Sequence, residues 1–204
     1  MINFGILSYV RRDPPTLPGT LTSLLDAFPM SAPQVFTDDG RWGASLNLAR
    51  ALDTLAERSN NLVCVLDDDL LIDKSACARI IEGLQTHGIT SCYSLWTIEQ
   101  NIPHEQRDAA GWLKVDPHMH LWGGAVVMSP ETARRVAGHI RQLVRDNPEM
   151  GTKPDAVLFA SLEHLGADLY FHIPSLVDHA GLEASTIGNT HDHGETRGYK
   201  FGEQ

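Results

Sequence analysis

Three aspartates stand together in VCVLDDDLLID, residues 63–73, with an apolar run leading in and a second leading out. Asp67, Asp68 and Asp69 repel one another, so their position at the end of an apolar strand calls for solvent or for a cation. Side chains alternate along an extended segment, which sends Asp67 and Asp69 to one side and Asp68 to the other. Two carboxylates on one side make a hard oxygen site suited to Mn2+ or Mg2+. The competing reading is a solvated turn, or capping groups for a helix that begins near Lys74.

Other residues carry chemistry at comparable places. Arg11 and Arg12, in RRDPPTLPGT, are able to clamp a diphosphate through their guanidinium forks; a solvated loop explains them equally well. Asp38 and Asp39 precede Gly40, where a tight turn accounts for aspartate through backbone hydrogen bonds. The alternative is a carboxylate accepting from a nucleobase N–H. Gly123 and Gly124 interrupt the apolar HLWGGAVVMS, either as a bulge or as a place where a ligand approaches the backbone. Trp122 before them is a sugar-stacking or a core residue. Asp155 lies three residues after Thr152, a capping-box spacing, and the local pattern favours that cap over a general base. His179 follows the last strand. His118 with His120 and His191 with His193 form H-x-H pairs, but without a third spaced ligand they do not make a zinc site.

The elements that must position these groups follow from periodicity. Short apolar runs at 3–10, 33–37, 60–66, 90–97 and 168–174 read as strands, and 120–129 as a strand broken by its glycines. Helical spacing runs through 20–28, 43–59, 74–85, 129–146 and 152–166. Ser129 is the expected N-cap of the fourth helix, with Pro130 at its first position. In the second, Leu46, Leu48, Ala49, Leu52 and Leu55 supply the apolar face. Residues 98–113 read as irregular and polar. Strand and helix alternate through the first half, which argues for an α/β fold with a mainly parallel sheet flanked by helices. Ligands of such sheets bind beyond the carboxyl ends of the strands, and that is where Arg11, Arg12, Asp38, Asp39 and Asp67 to Asp69 all fall.

Composition narrows the class. The net charge of -10 works against broad binding to a polyanion, which needs a basic surface. No apolar run reaches the roughly 18 residues of a membrane span, and the amino terminus lacks the basic leader and cleavage site of a signal peptide. A cytoplasmic protein is expected. Cys64, Cys77 and Cys92 are odd in number and lie in apolar or helical surroundings, so buried thiols are expected rather than disulfides.

Taken in order, these segments resemble the GT-A glycosyltransferases, which use nucleotide-diphosphate sugars and carry a DxD motif. SYVRRDPPTLPGTLTSLLDAFP is similar to their first strand, arginine loop and following helix, and QVFTDDG to their second strand. LVCVLDDDLLI looks like the DxD strand, and HLWGGAVVMSPETARRV like the acceptor-side strand and helix. KPDAVLFASLEHLGADLYFHIPSLVDHAGLEAST resembles the carboxyl-terminal part. The resemblance covers nearly the whole chain. It implies a Rossmann-like, GT-A-like fold in a single domain, 1–204, with a nucleotide-sugar-binding half at 1–97 and an acceptor-side half with a tail at 98–204. It implies Mn2+ or Mg2+ held by Asp69 and His179 with Asp67, and a nucleotide sugar, UDP-sugar first, contacted by Arg11, Arg12, Asp38, Asp39, Asp67, Asp68, Gly123 and Gly124. Asp155 would be the catalytic base of an inverting transfer, although Pro154 stands where the superfamily has an acidic neighbour. The acceptor is left open among a saccharide, a protein and a hydroxylated DNA base. A compact bacterial or phage enzyme fits the lack of a stem or anchor. The competing functions are a nucleotidyltransferase, a phosphohydrolase, and a sugar-nucleotide-binding domain without catalysis.

Overall fold

A computed structural model describes residues 1–9, 16–58, 60–119, 124–179 and 199–202. Strands β1 (Ile2–Tyr9), β2 (Gln34–Asp38) and β3 (Leu62–Asp67) alternate with helices α1 (Leu17–Ala27) and α2 (Ala44–Arg58). There follow β4 (Leu70–Ile72), α3 (Ala76–His87), β5 (Cys92–Ser94), β6 (Gly111–Val115) and β7 (Ala125–Met128). The chain continues with α4 (Pro130–Asp146), α5 (Pro154–His164), β8 (Leu169–Ile173) and β9 (Val177–His179). Seven strands make one sheet in the order β2-β1-β3-β7-β5-β8-β6. β2, β1, β3, β5 and β8 all point the same way, while β7 and β6 run against them. The expected α/β architecture with a mostly parallel, Rossmann-like sheet is therefore present.

The apolar run in β3 is buried on both faces, as a central strand between two helical layers must be. Val63 and Val65 pack with α2, α4 and α5 on one side. Leu62, Cys64 and Leu66 pack with α1 and α3 on the other. The apolar stripe of α2 is rotated slightly from expectation: Leu48, Ala49, Leu52 and Leu55 are buried, but Leu46 is only half-buried and Asn47 takes an inner place. Asn47 is tolerated there because its amide donates to Phe36 O at 2.9 Å. Ser129 caps α4 as expected, its Oγ accepting from Thr132 N at 3.1 Å.

Two parts depart from the sequence reading. The stretch expected to be irregular contains β6, the sheet's outermost strand, antiparallel to β8 with Gly111 opposite Ile173. Its partner lies some sixty residues on, and a half-buried strand of mixed side chains leaves little periodic trace. The apolar LLI after the aspartates forms β4, which pairs antiparallel with β9 in a separate two-stranded sheet. No helix among the described residues is long and apolar enough to cross a membrane.

Candidate functional site

Because β2, β1, β3, β5 and β8 are parallel, their carboxyl ends share one edge of the sheet. Asp38 and Asp67 end β2 and β3 there, and antiparallel β7 begins there just after Gly124. The Asp67 amide donates to Gly124 O at 3.0 Å, the last link between β3 and the start of β7. Asp68 and Asp69 then turn the chain into β4.

That turn separates the three carboxylates. Asp68 is 3% exposed. Its Oδ2 accepts from Ser8 Oγ at 2.7 Å, and its main-chain carbonyl accepts from Thr20 Oγ1 at 2.8 Å. Asp69 points to β9, where the pairing of Leu70 with His179 brings Asp69 Oδ2 within 3.4 Å of His179 Nδ1. Asp67 lines a cleft that Asp155 also lines. The expected alternation is thus kept for Asp68, which faces inward, while the reversal at the turn sends Asp69 to the histidine. The solvated-turn alternative does not describe a residue as buried as Asp68. The capping alternative does not describe the three aspartates either: α3 starts at Ala76 with Ser75 at its N-cap and no side-chain cap, and the turn before it is closed by Asp73, whose Oδ1 accepts from Ser75 N at 2.7 Å.

Asp155 stands in the first turn of α5, and the structure corrects the capping expectation. Lys153, not Thr152, occupies the N-cap position, and no side chain caps the helix there. Thr152 belongs to a preceding 3-10 turn and donates instead to Glu149 O at 3.3 Å. The cleft between Asp155 and Asp67 is otherwise apolar, with Leu7, Leu48, Val65, Leu66 and Leu158 in its walls. One more tertiary contact joins the elements on either side. The start of α2 is tied to the turn before α5 through Ser45 Oγ, which donates to Met150 O at 2.6 Å.

Gly124 has a packing reason of its own. A Cβ there would meet Trp96 Cε3 at 2.9 Å and Leu70 Cδ1 at 3.2 Å. Trp96, two residues past the end of β5, is 4% exposed and meets the His179 ring edge-on with centroids 4.4 Å apart. It is the residue that sequence reading missed: SLWT looked like ordinary strand, and its contacts join three distant segments. Asp38 is also buried, and its Oδ1 accepts from Gly40 N at 2.9 Å, closing the expected tight turn with Gly40 at φ 89°. Asp39 accepts from Arg41 N and pairs with its guanidinium at 3.2 Å on the surface. Both aspartates therefore do the turn's work, and Asp38 lies two strands from Asp67 along the edge.

Arg11, Arg12, Trp122, Gly123, His120, His191 and His193 lie outside the described residues. His118 is exposed and sits 3.5 Å from Glu163, away from the aspartates. Among the described residues no group of three or more His, Cys, Asp or Glu side chains is placed to hold a metal ion. Asp69 with His179 supplies two donors. A carboxylate oxygen and an imidazole nitrogen 3.4 Å apart are donor types that would suit a divalent cation such as Mn2+. Cys64 and Cys92 are deeply buried free thiols. Burial raises both, Cys92 to about 12 with help from Asp168, which disfavours their thiolate forms.

No protein-family model matches the chain, and no curated protein is similar to it.

Proposed function

We propose that the protein is a metal-dependent glycosyltransferase of GT-A-like fold, which moves a sugar from a nucleotide-diphosphate sugar, UDP-sugar first, to an acceptor hydroxyl with inversion. One observation carries the reading: Asp67 shares a cleft with Asp155, two residues from an Asp69–His179 pair, at the carboxyl edge of a mostly parallel sheet. A polyanionic donor needs a cation, and an alcohol acceptor needs a base; this edge offers residues for both.

The chain's own groups divide the work. Asp69 and His179 would hold a Mn2+ or Mg2+ ion, with Asp67 beside them toward the nucleotide. When bound, that ion supplies the Lewis acidity that neutralises a departing diphosphate. Asp155 takes the acceptor proton. The acceptor oxygen then bonds to the anomeric carbon as the carbon–oxygen bond to the diphosphate breaks, and the proton rests on the Asp155 carboxylate. A base on the side opposite the leaving group makes the outcome inverting. Apolar walls around Asp155 would disfavour water at the base, and so favour transfer to an alcohol over hydrolysis of the donor.

Thermal-shift screening of UDP-, GDP-, CDP- and TDP-sugars, each with and without Mn2+, tests this. A melting-temperature rise that needs both a sugar nucleotide and Mn2+ is expected, followed by a glycosylated product of inverted anomeric configuration. Release of inorganic phosphate, or formation of a new nucleotide–phosphate bond, would replace this reading with a phosphohydrolase or a nucleotidyltransferase.

A further inference from the structure

Asp68 is the middle member of the triplet, and its environment differs from that of its neighbours. Its side chain is turned into the fold, where Ser8 holds the carboxylate at 2.7 Å. Thr20 holds its carbonyl oxygen at 2.8 Å. Ser8 is the next-to-last residue of β1, and Thr20 sits in the first turns of α1, itself fully buried. Both ends of the connection between β1 and α1 are therefore hydrogen-bonded to one residue. That residue stands between Asp67, which lines the cleft, and Asp69, which meets His179.

We propose that Asp68 is a positioning residue, not a cation or donor ligand: its buried clamp on Ser8 and Thr20 fixes the directions of Asp67 and Asp69. The proposal rests on the glycosyltransferase reading for the identity of the cation. The physical argument is steric and electrostatic. Three adjacent carboxylates left free would spread apart into solvent. Anchoring the middle one inward leaves the outer two few backbone conformations, so the ordering cost of gathering them around an ion is met during folding. A hydrogen bond to a charged acceptor inside the fold is also stronger than a neutral one, which suits a clamp.

The test is direct Mn2+ binding by titration calorimetry on the whole chain, with no acceptor required. The variants are Ser8→Ala, Thr20→Val, Asp68→Ala and Asp68→Asn. Each of the first three is expected to weaken Mn2+ by about tenfold, the usual scale for losing a hydrogen bond to a charged or buried group. Asp68→Asn keeps an acceptor for Ser8 and is expected to recover most of what Asp68→Ala loses. A ligand role predicts the opposite pattern: Asp68→Asn as damaging as Asp68→Ala, with Ser8→Ala and Thr20→Val at the wild-type affinity. That pattern overturns the positioning role while leaving the functional reading standing. Wild-type protein that binds no Mn2+ with or without a sugar nucleotide overturns the functional reading and this proposal together. Far-ultraviolet circular dichroism and melting of each variant separate a lost clamp from a lost fold, and Thr20→Val, which keeps shape, stands in if Asp68→Ala fails to fold.

Discussion

Adding one methyl group at Gly124 tests the packing that holds the site together. Its φ lies outside the left-handed region, so the backbone accepts alanine, and Gly→Ala at a compatible position stabilises by about 0.4–1 kcal/mol through the unfolded chain. Against this stands the space. The new Cβ would meet Trp96 Cε3 at 2.9 Å and Cζ3 at 3.1 Å, with Leu70 Cδ1 at 3.2 Å. Leu70 has a flexible end, but Trp96 is a large ring at 4% exposure with its edge against His179. Overpacking of this kind costs about 1–3 kcal/mol. The net expectation for Gly124→Ala is a loss of about 1–2 kcal/mol, which is a fall of roughly 2–8 °C in melting temperature for a domain of this size. The assay is urea unfolding together with thermal melting. A double-mutant cycle identifies the cause: in a Trp96→Leu background the ring is gone, and the same methyl should cost under about 0.5 kcal/mol. Trp96 Nε1 has no hydrogen-bond partner among the described residues, so that background loses packing but no polar contact. Gly124→Ala as stable as wild type, or equally costly with leucine at 96, would refute the packing argument. It would return Gly124 to the alternative of close backbone approach to a ligand.

Three further outcomes follow from the same geometry. Asp155→Asn should lower kcat by about 10²–10⁴ as a lost general base, while losing only about 0.3–1 kcal/mol of stability from the charge at the start of α5; unchanged turnover would leave Asp155 with that electrostatic role alone. His179→Ala should weaken Mn2+ by at least about tenfold, measured by titration calorimetry, and equal affinity would remove His179 from the cation site. Stability should fall as pH drops below about 6.5, the ordinary histidine value, because the unfolded chain then takes up protons that folded His139 and His172 resist. Both are lowered first by burial, His139 also by the stacked His164 ring 4.0 Å away, so their neutral forms contribute stability above that pH which is lost below it. Ser161 donates to Val157 O and so accepts from His139 Nδ1–H, leaving Nε2 as the nitrogen that must take the proton. His139→Gln should flatten the slope of unfolding free energy against pH; an unchanged slope would assign it to other groups.

Local sequence was enough for whatever depends on period and chemistry within one segment. The unbroken apolar run of β3 announced a strand, and Ser129-Pro130 announced the start of α4. Alternation predicted the inward turn of Asp68 but not the turn that parts Asp69 from Asp67, and the tight turn at Asp38-Asp39-Gly40 was one of the two readings its residue types offered. Only tertiary structure decided what each carboxylate meets. His179 reaches Asp69 because three residues of β9 pair with three of β4, a contact across more than a hundred residues that no local pattern records. Asp155 shares a cleft with Asp67 because α5 packs beside α2 over the sheet, although its own neighbourhood favoured a cap. Trp96 gave no sign at all, since an indole buried between Gly124 and His179 looks in sequence like any strand aromatic. Periodicity is written along the chain, whereas a site is assembled across strands by the burial of faces, and the residues so brought together share no spacing.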